Sequence, residues 1–212
     1  MYIIGCGAQA KYIIDIVGET RGITIIDPIG KKIGEFLLGH LINGFDINFI
    51  SNHSPVYLAI ANNKMKKNIY DELKKKEFKY PSAIHNRSTL SQLSTLGEGN
   101  IINAGAIIQP TSSLGKFNMI HSNVLIEHDC KVESFSNIGP AATLCGHVKI
   151  GNYTTVGPSS VICKTVTIGN NCIIGAGSVV LKNIPDNSIA WGNPCKIIRY
   201  NGDKQNGKKS LV

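Results

Sequence analysis

One period governs the second half of this chain. Counting in sixes from Ile84 gives Leu90, Leu96, Ile102, Ile108, Leu114, Ile120, Ile126, Val132, Ile138, Leu144, Ile150, Val156, Ile162, Ile168, Ile174 and Val180. All seventeen positions are Ile, Leu or Val, types that supply 56 of the 212 residues. Chance does not produce such a run. The residue two places before each aliphatic is usually small, as at Ser112, Cys130, Ser136, Ala142, Thr154, Ser160, Cys172 and Ser178. The residue just after is often Gly, at 97, 115, 139, 151, 157, 169 and 175. Period six fits neither the 3.6 of a helix nor the alternation of a strand. It fits a coil of triangular cross-section, in which three six-residue sides make one turn of 18 residues. The aliphatic fills the interior, the small residue fits beside it, and Gly is expected to give the backbone freedom to turn. With turns stacked at about 4.8 Å, the prism stands roughly 27 Å tall. The repeat has no insertion, so no long loop leaves it.

Residues 1–80 are patterned differently. Tyr2-Ile3-Ile4 is a short apolar strand, followed by Gly5-Cys6-Gly7-Ala8-Gln9-Ala10 and a helical stretch through Val17. Ile23–Asp27 and Val56–Ala61 read as further strands, and Lys64–Lys79 as an amphipathic helix with Ile69, Leu73 and Phe78 inward and a solvated Lys-rich face. This order predicts a small parallel sheet with helices on its faces. Gly5-x-Gly7-x-x-Ala10 between strand and helix matches a dinucleotide fingerprint, with Asp27 twenty residues beyond Gly7. The domain has about half the strands of a full dinucleotide fold. A nucleotide or nucleotide-sugar is therefore the better match than NAD, and a purely structural turn stays open. The predicted architecture is an α/β, Rossmann-like βαβ domain (1–80), then an all-β left-handed parallel β-helix (81–200), then a flexible basic tail (201–212).

Composition narrows the partners. Hydrophobic residues at 42% and charged residues at 17% exclude a mostly disordered chain. No apolar run approaches the ~18 residues of a membrane span. The first five residues have neither a basic region nor a cleavage site and read as a strand, not a signal peptide. Six Cys without a CxxC pair are expected to be reduced packing thiols in a cytoplasmic protein. A net charge of +8 favours anionic partners.

Six His are available for chemistry: 40, 53, 85, 121, 128 and 147. His40, His53 and His85 carry no supporting pattern. His128 stands two residues after the inward Ile126, so it points outward, and Glu127 and Asp129 flank it. A carboxylate beside an imidazole raises its basicity and fixes its tautomer, which a general base needs. A zinc site from His121, His128 and His147 is a competing possibility, although His121 falls on another side of its turn. A Ser-His-Asp nucleophile has no supporting motif.

A Gly-rich βαβ domain before an uninterrupted hexapeptide prism, Val124-Leu125-Ile126-Glu127-His128-Asp129-Cys130, Phe135-Ser136-Asn137-Ile138, Gly146-His147-Val148-Lys149-Ile150-Gly151 and Gly192-Asn193-Pro194-Cys195-Lys196 together form a recognisable set. It resembles the bacterial sugar acyltransferases of the sialic acid O-acetyltransferase (NeuD) and UDP-4-amino-sugar N-acetyltransferase (PglD) type, over roughly residues 1–200. The resemblance implies a homotrimer with active sites in clefts between neighbouring prisms. It implies acetyl-CoA along the prism wall, a nucleotide-linked amino sugar on the first domain, and no metal. His128 would be the base, and Asp129 would raise its basicity. The Gly146 N–H would hold the thioester oxygen, and Pro158 and Ala176 would line the CoA channel. Gly7, Ala8, Gln9, Asp27, Pro28 and Ala61 match contacts to the sugar-nucleotide. Lys196 and the tail residues Lys204, Lys208 and Lys209 are candidate partners of the CoA phosphates.

Three positions depart from that pattern. Asn137 stands where the family usually has a His that contacts the acetyl donor. Gln9 stands where a His often touches the sugar, and His121 where Asn is frequent. The expected activity is N-acetylation of a nucleotide-linked amino sugar. O-acetylation of a sugar hydroxyl and a non-catalytic scaffold are the alternatives.

Overall fold

The structure, a computed structural model, describes residues 1–18 and 22–200. The first unit contains β1 (Tyr2–Ile4), α1 (Ala8–Val17), β2 (Thr24–Asp27), β3 (Phe36–Leu37), β4 (His40–Gly44), β5 (Val56–Leu58) and α2 (Asn63–Leu73). Its sheet has the order β3-β4-β2-β1-β5, with β1 parallel to β2 and β5, and β2 parallel to β4. Successive strand residues face opposite sides. Ile3, Ile25 and Ile42 therefore bury against Ala10, Ile13 and Ile14 of α1. Ile4, Ile26 and Leu58 bury on the other side with Leu73 of α2. Gly18 ends α1 in the left-handed region, φ 62°, and its N–H bonds Ile14 O. The Asn62 side chain caps α2 by accepting the Met65 N–H at 2.9 Å.

Two differences from the sequence expectation stand out here. The β3–β4 hairpin was not anticipated, because β3 is only two residues long and too short to carry a period. The helix expected over 64–79 stops at Leu73, and one of its lysines is not solvated. Lys66 is only 1% exposed, with its Nζ 3.3 Å from Phe117 O. It precedes the inward Ile69, Tyr70 and Leu73 by three, four and seven residues, so it shares their helical face.

From Ala83 the chain winds as the triangular coil. A first wall runs from Ala83–Ile84 through Ile101–Ile102, Met119–Ile120, Asn137–Ile138 and Thr155–Val156 to Ile173–Ile174. A second wall has six strands, from Thr89–Leu90 to Val179–Val180, and a third has five, from Thr95–Leu96 to Thr167–Ile168. Pairing is parallel in a register of 18, as in Ile108↔Ile126, Ile126↔Leu144 and Leu144↔Ile162. The aliphatics from Ile102 to Val180 are buried, while Ile84 at the open end is 41% exposed. Each fully buried side chain stabilises the coil by about 1.5–3 kcal/mol. The small column staples the turns together. Ser112 Oγ donates to Glu127 O at 2.6 Å and accepts the Cys130 N–H at 3.0 Å, and Ser136 and Thr154 repeat the pattern one turn apart on the corner between third and first walls.

Glycine was expected to serve turning, but the glycine column does not. The positive φ values fall two residues later, on residues such as Thr111, Phe117, Asp129 and His147. A Cβ on Gly139 would sit 2.7 Å from Pro158 N, and one on Gly157 would sit 2.5 Å from Ala176 N. These glycines let stacked corners approach each other. All six cysteines are free thiols, and burial pushes the Cys130 thiol up to about 11. The last turn is shorter: Ile174 pairs with Ala190, 16 residues on, and an antiparallel strand, Lys196–Tyr200, closes that wall.

The first unit sits on the first wall. Ala83, Ile101 and Met119 face the core of α1. Phe117, Phe135 and Tyr153 stack on one another at the corner between third and first walls, with interplanar angles of 20°. Tyr70 of α2 and Tyr80 pack against Phe117 at 4.7 and 5.4 Å between ring centroids. No described helix is long and apolar enough to cross a membrane. The expected tail, 201–212, with Lys204, Lys208 and Lys209, lies outside the described residues.

Candidate functional site

The corner between second and third walls holds the candidate base, His128. Residues 127–130 and 145–148 form it on adjacent turns, joined by the bond from His147 N–H to His128 O at 3.0 Å. Asp129 and His147 take the same corner position one turn apart, with φ 60° and 61°. His128 and Gly146 take the position just before. Because Gly146 has no side chain, the His128 ring lies over it: a Cβ there would be 2.7 Å from Nε2. His128 Nδ1 is 2.8 Å from Asp129 Oδ2, and Thr111 Oγ1, one turn earlier, is 2.7 Å from Asp129 Oδ1. Bonding to His128 first, and to Thr111 second, holds the Asp129 carboxyl below its usual range. With Nδ1 tied to the carboxylate, Nε2 is the nitrogen left to move a proton. Among the described residues the Gly146 N–H bonds no protein acceptor.

His147 is drawn into this cluster. Its Nε2 lies 3.7 Å from Asp129 Oδ2, and its ring meets that of His128 edge-on at 5.1 Å and 88°. Sequence reasoning weighed His147 only as a metal ligand and did not single out Thr111. Their spacing of 18 from Asp129 was the available signal. The donors of His128, Asp129 and His147 lie within 4.8 Å of one another and could hold a divalent cation, which would occupy the candidate base. His121 lies on a different corner, edge-on to Tyr12 of α1 at 6.1 Å. Burial, and then the charge of Lys66, lowers the His121 pKa.

Of the other predicted residues, Ala61 and Asn137 meet at the seam between the two units. Gly7 begins α1 with Ala8 and Gln9 in its first turn, and Gln9 Oε1 is buried without a partner. Gly5, φ +113°, is the glycine that packing demands, since a Cβ would strike Ala59 O at 2.3 Å, whereas one on Gly7 would meet nothing. Asn137, on the first wall, donates from Nδ2 to Ala61 O at 3.0 Å, leaving its Oδ1 buried and unpaired. Beside Ala61 a hollow of about 300 Å³ is lined by Asn62, Asn63, Lys64, Tyr153, Thr155, Asn171 and Ile173. A larger hollow of about 530 Å³, between Tyr2 and Phe49, contains none of the predicted residues. Pro158 and Ala176 are exposed on the corner that follows the first wall.

Asp27 is committed to its own loop. Its carboxylate oxygens accept the Ile29 and Lys32 N–H groups, each at 2.9 Å, and its side chain is buried. Burial alone would raise its pKa, but these backbone donors outweigh it and hold the carboxyl low. It shapes the loop after Pro28 rather than presenting a free carboxylate to a ligand.

The bacterial transferase hexapeptide family (six repeats) matches residues 147–182. No curated protein matches the sequence significantly. Among solved structures, the chain is similar to a single-site variant of perosamine N-acetyltransferase from Caulobacter crescentus in complex with CoA and GDP-perosamine. The identity is 30%, with 93% of this chain and 96% of that one covered and a TM-score of 0.85. The acetyltransferase domain of PglB from Neisseria gonorrhoeae, in complex with acetyl coenzyme A, is 27% identical over 93% of this chain and 98% of that one, with a TM-score of 0.85. WeeI from Acinetobacter baumannii shares the fold at 22% identity, with 93% and 98% covered and a TM-score of 0.78.

Proposed function

The chain belongs to the bacterial hexapeptide-repeat transferases, and on that premise we propose that it moves an acetyl group from acetyl-CoA to the amine of a nucleotide-linked sugar. The observation that carries this is the likeness, along nearly the whole chain, to an N-acetyltransferase in complex with CoA and a GDP-linked amino sugar. Within the family we read the chain as one of the NeuD/PglD type, built from a Rossmann-like domain (1–80) and a left-handed prism (81–200).

The chemistry follows from the corner. A thioester is already activated, so no covalent intermediate with the protein is needed. The amine attacks the thioester carbonyl and His128 Nε2 takes its proton, while Asp129 balances the imidazolium that forms. The Gly146 N–H faces the oxyanion of the tetrahedral intermediate. Collapse breaks the C–S bond, and the proton passes from His128 to the departing thiolate.

Gly7, Ala8, Gln9 and Ala61, with the Pro28 loop that Asp27 shapes, form the acceptor half of the site. Asn137, Pro158 and Ala176 lie along the donor path. His128 is on the corner opposite the wall that carries the first unit, so one chain does not bring the two halves together. A homotrimer, in which the base corner of one copy faces the seam of the next, completes each site.

The test is thiol release from acetyl-CoA with UDP-, GDP- and dTDP-linked amino sugars and free sialic acid, for the native chain and His128→Ala. Release with a nucleotide-linked amino sugar, cut about 10²–10⁴-fold in the variant, is expected. Release with sialic acid alone would mean O-acetylation. Normal turnover by His128→Ala would remove His128 as the base.

A further inference from the structure

We propose that the hollow beside Ala61 is a base-binding subsite, in which the ring of a nucleobase lies on Tyr153 as the next rung of the aromatic ladder. The inference rests on the reading above that the substrates carry nucleotides, and not on the acetyl transfer itself.

Phe117, Phe135, Tyr153 and Asn171 hold one corner position on four successive turns, with φ between 55° and 59°. The first three stack as rings, with centroids 5.3 and 5.7 Å apart and interplanar angles of 20°. The fourth is not aromatic. Its amide reaches on to the next turn, where Nδ2 donates to Asn187 Oδ1 at 2.7 Å. The ladder therefore ends at Tyr153, and the hollow of about 300 Å³ opens there, lined by Tyr153 and Asn171 together. That volume is at the small end of ligand sites and suits one ring system better than a whole nucleotide. Every base offers a flat face, and aromatic side chains bind such faces by stacking.

The start of α2 supplies contacts for the edge of the ring. Asn63 is 8% exposed, and its Nδ2 donates to Tyr153 O at 3.3 Å and to Thr155 Oγ1 at 3.4 Å. Those bonds fix the amide, and its Oδ1 is left buried without a partner. Among the described residues the Asn63 and Lys64 N–H groups, in the first turn of α2, also bond no protein acceptor. The hollow thus offers one acceptor beside two donors. A fully ionised phosphate has no proton to give Oδ1. The edge of a base carries both kinds of group, an N–H beside a ring nitrogen or carbonyl. Lys64 is exposed on the same rim and brings a positive charge to the phosphates that follow the base.

The experiment is calorimetric binding of UDP, GDP, dTDP, CoA and ribose 5-phosphate to the full chain, native, Asn171→Phe and Tyr153→Asn. Phe already stands twice at this corner, so Asn171→Phe supplies the next rung from the protein and closes the stacking face with the ladder whole. Tyr153→Asn removes the face with a residue that tolerates the positive φ. Each should weaken at least one base-carrying ligand by about 5–150-fold, the worth of one base–aromatic stack, and leave ribose 5-phosphate, which has no base, unmoved. Loss confined to the nucleoside diphosphates assigns the subsite to the acceptor, and loss confined to CoA assigns it to the adenine of the donor. Unchanged affinities in Asn171→Phe would overturn the inference, as would an equal loss for ribose 5-phosphate or a native chain that binds no base-carrying ligand. If Tyr153→Asn fails to fold, Asn171→Phe decides alone.

Thiol release separates this inference from the proposed reaction. A chain that loses binding as expected, yet releases no thiol with any acceptor, keeps the subsite and loses the reaction. A chain that turns over with the same kcat/KM for both substrates after Asn171→Phe keeps the reaction and loses the subsite.

Discussion

Gly146 earns its place through a contact rather than a torsion. Its backbone needs no positive φ, but the His128 ring occupies the space where a Cβ would sit. Gly146→Ala should push the imidazole off the corner, and a displacement of about 1 Å can cost about 10²-fold. We expect kcat to fall by about 10–100-fold with acceptor KM nearly unchanged, measured by steady-state kinetics on the native acceptor. An unchanged kcat would mean that the ring does not act from this pose. The pairing of His128 with Asp129 was legible in the sequence because they are neighbours. His147 and Thr111 become legible only once residues are indexed by 18. The bond from Asn137 to Ala61 O was not legible, since it joins two units whose docking no local pattern encodes.

A single turn of the prism shows why the period could be read so directly. Its interior takes one aliphatic per side, and the side chain has no alternative place to go. The glycine column was visible too, but its cause was not, because stacking distance is a property of two turns at once. Gly157→Ala puts a Cβ 2.5 Å from Ala176 N, against backbone that cannot yield cheaply. A loss of about 1–3 kcal/mol is expected in chemical denaturation. An exposed glycine such as Gly177, with open space at its Cβ position, makes a control of another kind, since only its φ of 66° resists a side chain. The first unit was less legible: parallel order and α1 follow from pattern, whereas the β3–β4 hairpin is too short to carry a period and α2 ends earlier than its polar sequence implies.

The two units are held by an apolar seam with one ill-suited member. Lys66 is fully buried with a single carbonyl partner at 3.3 Å, and burial lowers its pKa from 10.5 to about 8. Between about pH 8 and 10.5 the unfolded chain therefore binds more protons than the folded one, so native stability rises with pH across that window. Below pH 8 the folded protein carries a buried ammonium at a cost of about 3 kcal/mol. Lys66→Met should raise stability at pH 7 by up to that amount, with the gain shrinking as pH climbs through the window. Melting temperatures at pH 7 and pH 10 check both sign and slope, and a constant or growing gain would count against the assignment. The unbroken register of the coil has a different kind of consequence. Removing any six residues would leave every aliphatic inside, so the core would accept the edit. Yet each position downstream would swing through a third of a revolution relative to the docked unit. The fold is thus arithmetic modulo six and the site modulo eighteen. Between those two moduli lies a class of deletions that should fold without complaint and catalyse nothing.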